Sequence, residues 1–125
     1  MNKRDELRFR NKMAQYIRSS NRCGSHQGCL KIWKGCTYEH ERTKFDICYQ
    51  LINEGWDIYT EAIFTSGDRG DIVAIGFGRA VIIEIETPKS KNELDEKILS
   101  KENYPEEFEK ILVITDKFDK DTFFI

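Results

Sequence analysis

The sequence predicts a mixed α/β domain, in which helices flank a central β-sheet. Residues 38–54 carry apolar side chains at helical spacing, and residues 56–86 hold three runs rich in β-branched and aromatic residues. A short apolar strand pattern follows at 111–115. The order helix, three strands, helix, strand is typical of helices packed on one sheet. The 125 residues suffice for a single domain, with a basic helix and a Cys/His-containing loop at 1–37 appended to a core at 38–125.

The appended segment predicts a helix and a short strand. Residues 3–18 predict a charged, weakly amphipathic helix that stops at the polar cluster 19–21. Its apolar positions are Leu7, Phe9, Met13, Tyr16 and Ile17. Residues 30–33 are a candidate short strand inside a glycine-containing loop.

The core elements follow in order. A helix is expected from Thr37 or Tyr38 to Glu54, capped by Gly55, with an apolar stripe of Phe45, Cys48, Leu51 and Ile52. Residues 56–64 predict a strand. Residues 71–75 and 80–86 predict a hairpin across the 76–79 connection. Further elements are expected as a helix at 90–102, a strand at 111–115 and an edge strand at 122–125.

Composition and charge narrow the class of protein. Hydrophobic residues make up 39% and charged residues 34%, a balance typical of globular proteins. No apolar run approaches the roughly 20 residues that a membrane helix needs, and the charged N-terminus lacks the apolar core of a secretory signal. These features predict a cytoplasmic protein without a membrane partner. The net charge of −2 divides into +7 over residues 1–44 and −9 over 45–125, an asymmetry that favours a polyanion partner over a chance distribution of surface charge.

A carboxylate constellation is the most informative feature. Glu84 and Glu86 alternate with Ile83 and Ile85, so the two acids point to one face of their strand. Asp71 begins the neighbouring hairpin strand and can reach the pair. Converging carboxylates in an apolar sheet repel one another and lose hydration, and a bound Mg²⁺ or Mn²⁺ removes that conflict. The alternative is that both glutamates line the solvent face of an ordinary strand.

The helix before the sheet supplies further candidates. Glu41 and Lys44 flank its apolar stripe, so both are expected to lean toward the sheet, and Glu41 is preferred over Glu39 as an acid of the site. Glu61 alternates with Tyr59 on the preceding strand and is a weaker candidate. A solvated, charged first turn is the competing interpretation.

This arrangement resembles the restriction-endonuclease-like nucleases, the PD-(D/E)xK superfamily. The resemblance rests on Glu41 on a helix, then Gly70-Asp71, then Glu84-Ile85-Glu86 after a hairpin, and it covers residues 38–115. It implies a restriction-endonuclease-like core with Asp71 and Glu84 as metal ligands. The lysine usual in the E-x-K step is Glu86 here. Some restriction enzymes carry E-x-E and remain active, and Lys44 or Lys89 could supply the missing cation.

The resemblance implies a Mg²⁺-dependent endonuclease that hydrolyses phosphodiester bonds in DNA. Asp71 and Glu84 would hold the metal, Glu86 would orient or deprotonate the attacking water, and a lysine would stabilise charge on phosphorus. Nucleases of this fold that cut both strands often act as homodimers. One alternative is a catalytically inactive nuclease-fold protein that binds nucleic acid; another is a zinc-stabilised interaction module.

The Cys/His-containing loop raises the zinc alternative. Cys23, His26, Cys29 and Cys36 follow the spacing C-x2-H-x2-C-x6-C and are residue types that Zn²⁺ prefers. His40 could replace His26. Free cysteines and a surface histidine are the competing interpretation, because the paired knuckles of common zinc ribbons are missing. Cys48 lies on the helical apolar stripe and is expected to be a small buried hydrophobe.

A basic, aromatic patch surrounds the same loop. Basic residues can bind a phosphate backbone, and an interleaved tryptophan can stack on an unpaired base. The candidate nucleic-acid-binding residues are Arg18, Arg22, Lys31, Trp33 and Lys34.

Overall fold

The protein is described by a computed structural model that covers residues 1–22, 26–88 and 104–125, without the side chains of residues 21 and 22. The predicted helix at 90–102 and the candidate residues Cys23 and Lys89 lie outside the described residues. No helix in the described ranges is both long and apolar enough to cross a membrane.

The architecture is a four-stranded mixed sheet with helices packed on it, as the sequence predicts. In chain order the elements are α1 (Lys3–Ala14), α2 (Ser19–Arg22), α3 (Tyr38–Asn53), β1 (Asp57–Ile63), β2 (Arg69–Gly76), β3 (Arg79–Glu86) and β4 (Glu109–Ile114). Spatial order follows chain order, with β1, β2 and β3 antiparallel and β4 parallel to β3.

Each face of the sheet carries its own hydrophobic core. On one face, α1 contributes Met13, which packs with β-strand residues such as Val73 and Ile82. On the other face, α3 contributes Ile47 and Leu51 to a second core. Ile83 and Ile85 belong to this second core, which confirms the predicted alternation of β3 away from Glu84 and Glu86.

Local signals explain the boundaries of α3 and of the hairpin. The Thr37 hydroxyl caps α3 by accepting the His40 amide at 3.1 Å. At the other end Gly55 adopts a φ of +98°, as the predicted glycine cap requires. The hairpin closes through the two residues Phe77 and Gly78, both with positive φ, which matches the twist of the flanking strands.

Four secondary-structure predictions are wrong. Residues 19–22 form a short helix instead of ending one, and residues 30–33 form no strand. There the Lys31 amide donates to the Thr60 hydroxyl at 2.8 Å, so a side chain replaces the ladder partner of a strand. Residues 122–125 also form no strand, although Phe123 packs beside the α3 core. The predicted helix at 3–18 ends at Ala14.

Two of the four residues of the predicted apolar stripe of α3 are buried. Cys48 and Leu51 are buried, whereas Phe45 and Ile52 are 50% and 43% exposed. The helix is rotated so that Ile47 and the aliphatic stem of Lys44 take their places against the sheet. On α1, Leu7 is likewise exposed rather than buried.

Candidate functional site

The sheet splits at the position of the predicted carboxylates. The ladder between β2 and β3 ends at the pair Ile72–Ile83. Beyond that pair β2 continues against β1, and β3 continues against β4. Asp71 lies just beyond this pair on β2, and Glu84 and Glu86 lie beyond it on β3. The three acids therefore flank a cleft between two halves of one sheet.

The side chain of Asp71 bridges the split. Its Oδ2 accepts the Ile85 amide at 2.8 Å, and it lies 3.4 Å from His40 Nε2. Burial raises the pKa of Asp71, but hydrogen bonds from His40, the Ile85 amide and the Glu84 carboxyl outweigh this effect, so the pKa lies below its usual value. The Asp71 and Glu84 side chains also line the same cavity, so the structure brings these two predicted acids together.

The other two predicted acids lie in the same cleft. Glu84 is half-buried, and its Oε1 lies within hydrogen-bonding distance of the Tyr104 hydroxyl, which also approaches the Arg69 carbonyl at 2.8 Å. Glu86 is only 4% exposed. Asp71, Glu84 and Glu86 line one cavity of about 320 Å³.

The first two turns of α3 add a charged network beside this cavity. His40 Nδ1 lies 3.1 Å from Glu41 Oε1, and Lys44 Nζ lies 2.7 Å from Glu41 Oε2. Lys44 also contacts Glu61 Oε1 at 3.0 Å, and its side chain is fully buried. The prediction that Glu41 and Lys44 lean toward the sheet is confirmed.

The ionisation of this network follows from its contacts. The hydrogen bond that His40 donates to Asp71 raises the pKa of His40 above its usual value, against the opposing effect of burial. Burial also opposes the charged forms of Glu41 and Lys44, but their mutual ion pair lowers the pKa of Glu41 and raises that of Lys44. Both side chains are therefore held charged.

A break in the strand alternation brings Glu61 to this network. Glu61 has a φ of +50°, and Tyr59 and Ala62 on either side of it both belong to the core under α1. Two residues three apart cannot share a face of a regular strand, so β1 is distorted at Glu61. The distortion allows Glu61 to contact Lys44 and, at 3.1 Å, Arg69 Nε.

Trp33 and Arg69 form the rim of the cavity. The Arg69 guanidinium lies 3.8 Å from the centre of the Trp33 ring, within the range of a cation–π contact, and both residues line the cavity. Trp33 is 45% exposed. An aromatic face and a positive charge thus stand at the mouth of an acidic cleft.

The remaining residues of the predicted basic patch differ in exposure. Arg18 and Lys34 are exposed and Lys31 is half-buried, while the side chain of Arg22 lies outside the described residues. Their role in binding nucleic acid stays a prediction.

The predicted zinc set does not assemble among the residues that are described. Within those ranges, the group of metal-ligating residue types whose donor atoms lie within 4.8 Å of one another is Cys36, His40 and Glu41. His26 and Cys29 are not part of this group, and Cys29 is exposed. Burial, followed by a hydrogen bond to Glu41, raises the pKa of Cys36 to about 11.

Cys48 lies apart from this group, in the core under α3. It is 4% exposed, and burial raises the pKa of its thiol to about 12. The prediction of a small buried hydrophobe is confirmed.

Sequence reasoning missed three residues of the cleft. His40 was considered only as a zinc ligand, whereas it contacts Asp71. Its position one residue before Glu41, at the start of a helix that leans on the sheet, was the available signal. No sequence pattern indicates Arg69 or Tyr104. The role of Arg69 depends on its stacking against Trp33, and that of Tyr104 depends on a hydrogen bond from its hydroxyl to the distant Arg69 carbonyl.

Searches against protein-family models, curated proteins and solved structures found no match for this chain. The class is therefore defined by the fold alone, as an α/β protein with helices on a four-stranded mixed sheet. Any function must be argued from the cleft itself.

Proposed function

We propose that this chain is a metal-dependent nuclease with a restriction-endonuclease-like core that hydrolyses phosphodiester bonds in DNA. The observation that carries the proposal is the cavity of about 320 Å³ that Asp71, Glu84 and Glu86 line together where β2 and β3 part. Two strands that part at this point bring together acids that the sequence separates by thirteen positions.

The donor set of the cleft fits Mg²⁺ or Mn²⁺. Asp71, Glu84 and Glu86 offer only oxygen ligands, which hard divalent cations prefer. Oδ2 of Asp71 accepts the Ile85 amide and lies 3.4 Å from His40 Nε2, so these two contacts hold the carboxylate at the cleft. A bound cation would polarise the scissile phosphate and lower the pKa of its attacking water.

The protein side chains have separable roles in this proposal. The Ile85 amide fixes the Asp71 carboxylate, and the Tyr104 hydroxyl orients Glu84. Glu86, at the second acid position of E-x-E, would orient the water or accept its proton. Because Arg69 lines the cavity with its guanidinium, it would contact a phosphate oxygen of the substrate.

Of the two lysines that the sequence offers for the E-x-K cation, Lys89 lies outside the described residues, and among those described Lys44 and Arg69 are the candidates. Lys44 is fully buried and bonded to Glu41 and Glu61, so it would act as a positioning residue that holds those acids. Arg69 reaches the cavity directly. We therefore assign the charge that faces the substrate to Arg69.

A second candidate function is that of a non-catalytic nucleic-acid-binding protein with the same fold. Glu86 at the lysine position and the burial of Lys44 favour it, because neither leaves an ammonium group facing the cleft. In that case Trp33 and Arg69 would bind a base and a phosphate, and no bond would break.

The test is cleavage of linear, supercoiled, branched and single-stranded DNA in Mg²⁺, Mn²⁺ or EDTA. Asp71→Asn and Glu84→Gln each remove one charge at nearly constant volume, so cleavage should fall by at least about 100-fold. Glu109→Gln is the matched control, since this carboxylate lies on β4 and pairs with Arg79 away from the cleft.

Each outcome decides between the two candidates. Metal-dependent cleavage that is lost in both cleft variants but kept in Glu109→Gln supports the nuclease. Binding without cleavage, reduced by Trp33→Ala, supports the non-catalytic protein. Cleavage that survives in EDTA and in Asp71→Asn contradicts the proposed site. Sedimentation of the active species would show whether it is a homodimer.

A further inference from the structure

We propose that Cys36, His40 and Glu41 form a Zn²⁺ site that is distinct from the Asp71–Glu84 pair. The inference does not depend on phosphodiester cleavage. It rests on the positions of three donor atoms and of the groups that hold each ligand in place.

The donors are brought together by the start of α3. Sγ of Cys36, a ring nitrogen of His40 and a carboxylate oxygen of Glu41 lie within 4.8 Å of one another. Cys36 stands directly before the cap residue Thr37, and its amide donates to the Trp33 carbonyl at 3.1 Å. Because Thr37 fixes the first turn through the His40 amide, the spacing between the three ligands is set by the backbone.

The outer atoms of two ligands already have the partners that a metal site needs. A ligating histidine usually donates its second ring N–H to a carboxylate, which fixes the orientation of the ring. With Nδ1 of His40 directed at Glu41, Nε2 lies 3.4 Å from Asp71 Oδ2. Glu41 keeps Oε1 toward His40, while Lys44 holds Oε2 at 2.7 Å.

The chemistry of the donors selects the metal. One thiolate, one imidazole and one carboxylate suit Zn²⁺ better than Mg²⁺, which prefers oxygen alone. The thiol proton of Cys36 passes to solvent as the metal binds, and the resulting thiolate together with Glu41 balances the charge of Zn²⁺. Cys36 and His40 line the cavity, so a water molecule can supply the fourth ligand.

This site differs from the one that the loop spacing predicts. His26 and Cys29 do not join Cys36 among the described residues. His40 takes the place of His26, which the sequence offers as an alternative, and Glu41 is a ligand that the sequence does not predict. A metal here would connect α3 to Asp71 through the His40 ring.

The experiment uses Co²⁺ as a spectroscopic probe for Zn²⁺. Metal-free full-length protein is titrated with Co²⁺, and the sulfur-to-cobalt charge-transfer band in the near ultraviolet reports a thiolate ligand. We expect the band to saturate at one equivalent and to disappear when Zn²⁺ displaces Co²⁺. Cys36→Ser should abolish it, and His40→Ala or Glu41→Gln should weaken Zn²⁺ binding by more than about 100-fold.

Two variants act as matched controls. Cys29→Ser makes the same substitution at an exposed cysteine outside the group and should leave the band unchanged. Glu84→Gln disrupts the proposed Mg²⁺ site and should also leave it unchanged, so failure of the nuclease proposal does not affect this test.

Three outcomes would overturn the assignment: no band in the wild-type protein, a band that persists in Cys36→Ser, or a band lost in Cys29→Ser. If the circular dichroism spectrum shows that Cys36→Ser is unfolded, the Zn²⁺ affinity of Glu41→Gln tests the assignment instead. In a folded Glu41→Gln variant, unchanged Zn²⁺ affinity contradicts the site and reduced affinity supports it.

Discussion

Replacement of Lys44 by methionine should be among the most destabilising single changes in α3. The Lys44 side chain is fully buried, and its ammonium group contacts Glu41 at 2.7 Å and Glu61 at 3.0 Å. Lys44→Met keeps the aliphatic stem, so the packing against the sheet changes little. The charge is removed while both carboxylates stay where they are.

The expected loss in the free energy of unfolding depends on the contacts that Glu41 and Glu61 keep in the variant. Breaking a buried ion pair by removal of one partner costs about 3–5 kcal/mol, because a desolvated charge is left behind. Here Glu41 keeps His40 at 3.1 Å, and Glu61 keeps Arg69 at 3.1 Å. These remaining contacts place the expected loss near the lower end, at about 3 kcal/mol.

Urea unfolding followed by far-ultraviolet circular dichroism measures this loss. With a slope of about 1–3 kcal/mol per molar urea, the midpoint should fall by at least about 1 M. Lys12→Met, at an exposed lysine of α1, should change stability by less than about 0.5 kcal/mol. Adding Glu61→Gln to Lys44→Met should recover part of the loss. A single-variant loss below about 1 kcal/mol, with no recovery in the double variant, would refute the ion-pair argument.

Three further predictions concern the cap of α3, the sheet edge and the cation site. Gly55→Ala should cost about 1–2 kcal/mol in urea unfolding, because an L-residue is strained at a φ of +98°, whereas Gly35→Ala should be neutral. Glu109→Gln should lower the free energy of unfolding by about 0.2–1 kcal/mol at neutral pH. The ion pair with Arg79 lowers the pKa of Glu109 in the folded protein below its unfolded value of 4.5. The stabilisation is therefore present above pH 4.5 and is lost as the pH falls through the lower folded pKa, so the difference between variant and wild type should vanish in acid. Mg²⁺ at about 100 times its Kd should stabilise the wild-type protein by about 2.7 kcal/mol in thermal unfolding. Glu84→Gln should lose this gain while its stability without metal stays unchanged. An equal gain in the variant would exclude Glu84 as a ligand.

The sequence contains enough information for the sheet but not for every element around it. The hairpin between β2 and β3 was predictable because β-branched runs flank a short connection that contains Gly76 and Gly78. The short helix α2 was not, since Ser19-Ser20-Asn21 reads as a helix stop. The expected strand at 30–33 failed because the Thr60 side chain bonds the Lys31 amide, a tertiary contact that no local pattern reveals.

The acids of the cleft were predictable from alternation and hairpin distance. Glu84 and Glu86 alternate with buried isoleucines, and the register places Asp71 one step beyond the last β2–β3 pair. Sequence could not show that the two strands part at that step. Whether a ladder continues or splits depends on the pairing of each strand with its other neighbour.

The cationic residues were harder to place for a similar reason. Lys44 was expected near the site, and it does lean on the sheet, but its burial between Glu41 and Glu61 depends on the distortion of β1 at Glu61. A positive φ at a glutamate has no sequence signature. The stacking of Arg69 on Trp33 likewise joins residues far apart in the chain.

The acidic lining of the cleft supplies a further argument for a bound cation. Among the described residues, four carboxylates line its cavity, those of Glu61, Asp71, Glu84 and Glu86. Glu41 lies next to them through its contact with His40, and Lys44 and Arg69 carry permanent positive charges. Both of those cations contact Glu61, at the side of the cleft away from β3. Protonation of His40 would offset only one further charge. Hard divalent cations prefer oxygen ligands of this kind, so an ion between β2 and β3 would bind where the proposed chemistry takes place.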